Sequence, residues 1–173
     1  MVINMALEEE RIKSEMEKFA LILHYPVKKI EKLSEAMKSV LLPKKESDGK
    51  NHKEYTNEGL ATVGDTIIKS VIADKLFKEG LTTKGSITVA KEKLERNETM
   101  HRVMLNDGWI KYSYNSDYFL MDNPPQDKMV VCGEHDPYIE AIVAAIYYDS
   151  GSYEVTKRWI VKRLIPLLEK NIK

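Results

Sequence analysis

Two acidic residues lie on the same side of a strongly predicted helix in a stretch that is otherwise apolar. Glu58 and Asp65 are two helical turns apart, so both side chains point the same way about 10 Å apart along the axis. A carboxylate among leucine, valine and isoleucine residues is costly to bury unless it is paired, capped or bound to a metal. Asp65 is therefore either the ion-pair partner of a lysine or a ligand of a cation. Glu58 is either a first-turn acid that complements the helix dipole or a second ligand.

The residue directly before Asp65 indicates a close approach. Gly64 lies inside the predicted helix, where glycine costs about 1 kcal/mol relative to alanine. We expect either the backbone of another helix or a ligand to lie against it.

A second helix of the same kind is predicted at about 137–148. Glu140 interrupts a run of alanine, isoleucine and valine, and the small side chains of Ala141, Ala144 and Ala145 permit close packing against the first helix. Two core helices that each carry a lone acid predict a site for a hard cation such as Mg²⁺, which prefers oxygen ligands. Asp136 is a further candidate ligand. Because Pro137 suits the first position of a helix, we favour Asp136 as the N-cap over a metal ligand.

The hydrophobic periodicity predicts an all-α domain. Helices are predicted over residues 4–24, 26–42, 56–78, 86–95, 97–105, 137–148 and 153–171. The polar segment 43–54 is predicted as an exposed connector, and a short strand pair is predicted around 109–114 and 118–121. Pro166 should interrupt the last helix.

Length and composition limit the class of protein. The chain has 173 residues, 27 basic and 27 acidic side chains, and one cysteine. We expect a single domain over 1–173, with no disulfide framework and a reducing, cytoplasmic setting. No apolar run approaches the about 20 residues that span a bilayer, so we expect no membrane association. Zero formal charge excludes bulk basicity as the basis of nucleic-acid affinity.

The chemistry-bearing segments resemble the ribonuclease III catalytic domain. Residues 57–68, NEGLATVGDTII, resemble its signature helix, Asn-Glu-Arg-Leu-Glu-Phe-Leu-Gly-Asp followed by apolar residues. Residues 140–151, EAIVAAIYYDSG, are similar to its second motif, Glu-Ala-x-x-x-Ala-Ile-Tyr-Leu-Asp-x-Gly, and residues 79–84, EGLTTK, to the stretch between them. Order and spacing match, and the resemblance covers roughly 56–170.

The resemblance implies a helical endonuclease that cleaves double-stranded or structured RNA and forms a homodimer through the signature helix. It implies Mg²⁺, with Mn²⁺ as a substitute, held by acids of the two motifs. Carried over by position, Asp65 and Glu140 are the catalytic metal ligands, with Glu58 and Asp136 as further ligands. Because the chain ends after its final helix, it resembles the compact mini-ribonuclease III form without a double-stranded-RNA-binding domain.

Two departures from the family pattern leave a second hypothesis open. Ala61 stands where the family has the middle glutamate of the signature, and Pro137 stands where it has an aspartate. The first hypothesis is an Mg²⁺-dependent endoribonuclease in RNA processing. The alternative is a catalytically inactive dimer that acts as an RNA-binding or protein-interaction module.

Overall fold

A computed structural model describes residues 2–39, 41–45, 51–113 and 137–173. Within these ranges the chain forms eight α-helices, one strand pair, and two turns of other helical types. The α-helices are α1 (Val2–Ile22), α2 (Ile30–Met37), α3 (Glu58–Lys78), α4 (Lys84–Glu95), α5 (Asn97–Asn106), α6 (Tyr138–Ser150), α7 (Tyr153–Trp159) and α8 (Ile165–Asn171). The all-α class predicted from the periodicity is confirmed.

The core is built around α3 and α6, which pack against each other more extensively than any other two described elements. Eight of the nine positions from Tyr138 to Ile146 in α6 are buried, the exception being Glu140, and Ala141, Ile142 and Val143 have no exposed surface. Ile68, Val71 and Ile72 of α3 are buried as well. Both helices carry the long apolar faces that the sequence pattern predicted, so their burial follows from local sequence.

The segment predicted as an exposed connector is instead an antiparallel strand pair. Strand β1 (Leu41–Lys45) pairs with β2 (Asn51–Tyr55), with Leu41 opposite Tyr55 and Lys45 opposite Asn51. Pro43 is compatible with this ladder because an edge strand tolerates a residue that has no N–H. The pairing is carried by backbone groups, so the hydrophobic pattern did not indicate it.

Helix α2 is shorter than predicted. The sequence pattern placed a helix over 26–42, whereas α2 spans Ile30–Met37. The residues before it are held as a loop by Asp149, which accepts hydrogen bonds from the backbone N–H groups of Lys28 and Lys29. This contact joins parts of the chain about 120 residues apart, so no local signal could reveal it.

The first strand of the predicted pair, around 109–114, is also wrong. Residues Trp109–Tyr112 form a single 3₁₀ turn against α1. The ring of Tyr112 stacks on Phe19 at 5.0 Å, and Trp109 meets the same ring edge-on at 5.9 Å. Two aromatic residues therefore drive this turn onto the core. The other half of the predicted pair, 118–121, lies outside the described residues.

The last predicted helix is interrupted near Pro166, as expected. A π-helical turn over Ile160–Leu164 joins α7 to α8, and Pro166 is in the first turn of α8. Proline has no N–H to donate, so the preceding turn is left without a regular α-helical partner. In the described part of the chain, no helix has both the length and the apolar character needed to cross a bilayer.

Candidate active site

Gly64 lies directly against the backbone of α6. A Cβ atom built on Gly64 would stand 1.7 Å from the carbonyl oxygen of Glu140 and 2.5 Å from its carbonyl carbon. Atoms this close cannot coexist, so only glycine permits this approach. The expected close approach is confirmed, and the neighbour is the backbone of another helix. Because Gly64 and Glu140 meet at the crossing, the next residue, Asp65, lies beside the same crossing.

Asp65 is partly accessible and is bound by a lysine of its own helix. Its side chain is 33% exposed, and its Oδ2 accepts a hydrogen bond from Nζ of Lys69 at 2.7 Å. The two residues are one helical turn apart, a spacing at which opposite charges pair on a helix surface. The lysine pair that was weighed against a metal ligand is therefore present.

Glu140 occupies the first turn of α6 and is half-buried. The N-terminal turn of a helix carries unsatisfied N–H groups and the positive end of its dipole, both of which stabilise a carboxylate. The start of α6 thus favours a carboxylate at Glu140, although the neighbouring side chains from Tyr138 to Ile146 are buried. The site presents acids from two facing core helices.

The charges of these acids act on Lys69. The hydrogen bond that Lys69 donates to Asp65 raises the pKa of Lys69, and the charges of Asp65, Glu95 and Glu140 raise that pKa further, while burial opposes them. Glu95 stands at the C-terminal end of α4 and is itself paired with Lys91 at 2.8 Å. Local sequence did not indicate Glu95, because its proximity to Lys69 depends on how α4 packs against the core.

Glu58 and Asn57 have local partners at the start of α3. Glu58 accepts a hydrogen bond from the backbone N–H of Tyr55 at 3.0 Å. Asn57 occupies the N-cap position, but its side chain does not cap the helix. It is buried instead, and its Nδ2 donates to the carbonyl oxygen of Ala36 at 2.9 Å. The hydrogen bond of Asn57 thus connects the start of α3 to α2, and the carboxylate of Glu58 is engaged by the backbone of Tyr55.

The remaining predicted positions add no further acid within the described ranges. Ala61 is buried and has no ligand atom. Asp136 lies outside the described residues, and the helix after it begins at Tyr138, with Pro137 as its N-cap and not at its first position. Among the residues that the structure describes, no group of three or more histidine, cysteine or acidic side chains could hold a metal ion.

Two carboxylates nevertheless suit Mg²⁺. This ion keeps several waters and is commonly held by one or two protein carboxylates together with phosphate oxygens of the substrate. Asp65 and Glu140 supply carboxylates on adjoining helices, and each is accessible in part. The donor set thus fits a weakly held Mg²⁺ whose coordination a phosphate group completes.

Sequence reasoning missed Asp149 at the other end of α6. Its Oδ2 accepts a hydrogen bond from the hydroxyl of Tyr25 at 2.8 Å, and Oδ1 accepts from the N–H of Lys29 at 2.6 Å. Burial, and then the hydrogen bond to Asp149, raise the pKa of Tyr25 well above its ordinary value. Asp149 belongs to the motif 140–151 but stabilises the loop before α2.

Comparisons with known proteins agree with this architecture. No protein-family profile matches the chain. A ribonuclease 3 of Phocaeicola vulgatus is 32% identical over 114 residues, which make up 63% of this chain and 33% of that protein. The chain therefore aligns with a third of the length of that relative.

Two solved structures of the ribonuclease III nuclease domain from Campylobacter jejuni have a similar fold. One superposes with a TM-score of 0.62 and covers 90% of this chain and 97% of that domain, at 22% identity. The other gives a TM-score of 0.61 and covers 90% and 94%, also at 22% identity. The first of these domains has a structurally flexible region that is involved in dimer formation. The resemblance found in the sequence is thereby confirmed, and the chain has the fold of a ribonuclease III nuclease domain.

Proposed function

We propose that this chain is an Mg²⁺-dependent endoribonuclease that cleaves double-stranded or structured RNA as a homodimer in the cytoplasm. The observation that carries this proposal is the contact between Gly64 and the backbone of Glu140. It sets the two acids of the ribonuclease III motifs, Asp65 and Glu140, beside one helix crossing. The sequence similarity to a ribonuclease 3 supports the same activity.

In the proposed mechanism, Asp65 of α3 and Glu140 of α6 would hold Mg²⁺. When bound there, Mg²⁺ supplies an acidified water and stabilises charge on the phosphate that is attacked. The protein contributes by positioning the two carboxylates. Because α3 and α6 meet backbone to backbone at Gly64, the two carboxylates are fixed by the core and not by a loop. Their partial exposure leaves room for the phosphate group of the RNA.

The small number of acids predicts that metal and RNA bind together. With two carboxylates from the described chain, phosphate oxygens of the substrate would be needed as further ligands of Mg²⁺. Mg²⁺ and RNA should therefore each strengthen the binding of the other.

Since the chain has no net charge, we also expect modest RNA affinity that falls steeply as salt concentration rises.

We place the homodimer contact on the uncovered side of α3. Gly59, Thr62 and Thr66 are exposed along one side of the helix, and a Cβ atom on Gly59 would meet nothing within 4 Å. The threonine hydroxyls donate to carbonyl groups of their own helix, so neither needs a partner from water. A small surface of this kind permits close approach of a second helix. We expect Thr62→Glu to halve the mass measured by sedimentation equilibrium, whereas Thr88→Glu, at an exposed threonine of α4, leaves the mass unchanged.

A second candidate function is supported by two specific observations. The buried Ala61 removes one acid of the family pattern, and Lys69 neutralises Asp65. Both features would suit a dimer that kept the fold and binds RNA or protein without cleaving. In that case, RNA binding would be indifferent to Mg²⁺ and to Asp65→Asn.

Cleavage of a labelled RNA duplex in Mg²⁺ and in Mn²⁺ separates the two functions. We expect the wild-type chain to cleave, and Asp65→Asn and Glu140→Gln each to lower the rate by about 100-fold or more, because each removes a ligand of the ion that stabilises the transition state. Asp74→Asn is the matched control, since Asp74 lies on the same helix and pairs with Lys78 and Lys157 away from the crossing. Absence of cleavage by the wild-type dimer in both metals would overturn the nuclease proposal.

A further inference from the structure

The acid predicted to bind the metal is in contact with a cation that the chain itself supplies. Nζ of Lys69 lies 2.7 Å from Oδ2 of Asp65, a distance typical of a charge-assisted hydrogen bond. An ammonium group donates hydrogen bonds and carries positive charge, so it satisfies a carboxylate as a metal ion would. The aspartate at the helix crossing is thus neutralised without any added ion.

Acids from three helices act on this ammonium. Asp65 belongs to α3, Glu95 to α4 and Glu140 to α6, and the charges of all three raise the pKa of Lys69. Lys91 binds Glu95 through both of its carboxylate oxygens. Within the described ranges, Lys69 is therefore the cation shown in contact with Asp65.

The geometry points to Lys69 as the resting counter-ion of the metal centre: we propose that its ammonium group competes with the divalent cation for Asp65. This inference rests on the proposed function in taking Asp65 as a metal ligand. Lys69 would be a positioning residue, because it sets how readily Asp65 is released to the metal and makes no contact with RNA in this account.

The ion pair between Lys69 and Asp65 can exchange for another partner and is not permanent. The side chains of Lys69 and Asp65 are 48% and 33% exposed, so water can replace either partner. Pairs of opposite charge at this spacing on a helix surface contribute little to stability. The long lysine side chain can rotate away without disturbing the helix, while a divalent ion at Asp65 repels the ammonium that it displaces. Lys69 consequently weakens metal binding when RNA is absent.

Calorimetric titration of the full chain with MnCl₂, without RNA, tests the competition directly. We expect Lys69→Met to bind Mn²⁺ about tenfold more tightly than wild type, which corresponds to about 1.4 kcal/mol. Lys69→Arg keeps the positive charge and should bind as weakly as wild type. The matched control is Lys78→Met, because Lys78 pairs with Asp74 at 2.8 Å on the same helix and with the same spacing.

The gain in Mn²⁺ affinity of Lys69→Met must also depend on Asp65. We expect it to disappear when Asp65→Asn is added to Lys69→Met. Equal affinities of wild type and Lys69→Met, an equal gain in Lys78→Met, or no Mn²⁺ binding by either protein would overturn the inference. RNA cleavage is a separate measurement: tighter Mn²⁺ binding by Lys69→Met together with an inactive wild type would reject the nuclease and leave the competition standing.

Discussion

The two ends of α6 use aspartate residues in opposite ways. At its C-terminal end, Asp149 accepts hydrogen bonds from the hydroxyl of Tyr25 and from two backbone N–H groups. At its N-terminal end, Asp65 of α3 lies beside Glu140 and has a hydrogen bond from a single lysine side chain. The first carboxylate is bound by groups that the fold holds in place, and the second by a group that can leave.

This difference separates structural acids from exchangeable ones. Backbone donors cannot move away without unfolding their segment, so a carboxylate that binds them is committed to stability. An exposed lysine can leave its partner at little cost, so its carboxylate remains available to another cation. The type of donor, and not the acid itself, distinguishes the two ends of α6.

The helix crossing that underlies the comparison gives the largest expected effect. Gly64→Ala places a Cβ atom in the position now occupied by the carbonyl group of Glu140, so α3 and α6 must separate. We expect a loss of about 3 kcal/mol in the free energy of unfolding, measured by urea denaturation. Gly85→Ala is the control, because its Cβ atom would meet nothing within 4 Å and it lies in the first turn of α4. Equal stabilities of the two variants would contradict the close crossing.

The comparison of the two aspartates predicts unequal costs for one chemical change. Asp149→Asn removes the charge that binds two backbone N–H groups and a hydroxyl, and should lower the free energy of unfolding by about 2 kcal/mol. Asp65→Asn removes a half-exposed surface ion pair, and should lower it by less than about 0.5 kcal/mol. Both values come from urea unfolding at neutral pH. If Asp65→Asn proved the more costly change, the assignment of roles would be reversed.

The smallest expected difference is a pH dependence of stability at the C-terminal end of α6, where Tyr25 donates a hydrogen bond to Asp149. Because the pKa of Tyr25 is raised on folding from an ordinary value of 10.0, its hydroxyl stabilises the fold fully below pH 10 and progressively less as the pH rises above it. We expect Tyr25→Phe to cost about 1 kcal/mol at pH 8 and less at pH 11, measured by urea unfolding of both proteins. The exposed Tyr148 supplies the control, since Tyr148→Phe should change stability little at either pH. A cost for Tyr25→Phe that grows with pH would disagree with this account.

Local sequence was sufficient to predict the parts of the site that depend on helical periodicity. The apolar faces of α3 and α6, the close approach at Gly64 and a lysine partner for Asp65 all follow from residues within a few turns. The contact of Asp149 with the loop before α2 was not predictable, because it joins residues about 120 positions apart. Glu95 was missed for the same reason, since its effect on Lys69 depends on the packing of α4.

The central claim is that Asp65 and Glu140 share one divalent cation across the helix crossing. It is tested most directly by an anomalous difference map from crystals of the wild-type chain grown in saturating Mn²⁺. We predict a Mn²⁺ peak within about 2.0–2.4 Å of a carboxylate oxygen of each residue, with the ammonium of Lys69 turned away from Asp65. A map in which Lys69 remains bound to Asp65, with no peak between the two acids, would contradict the account.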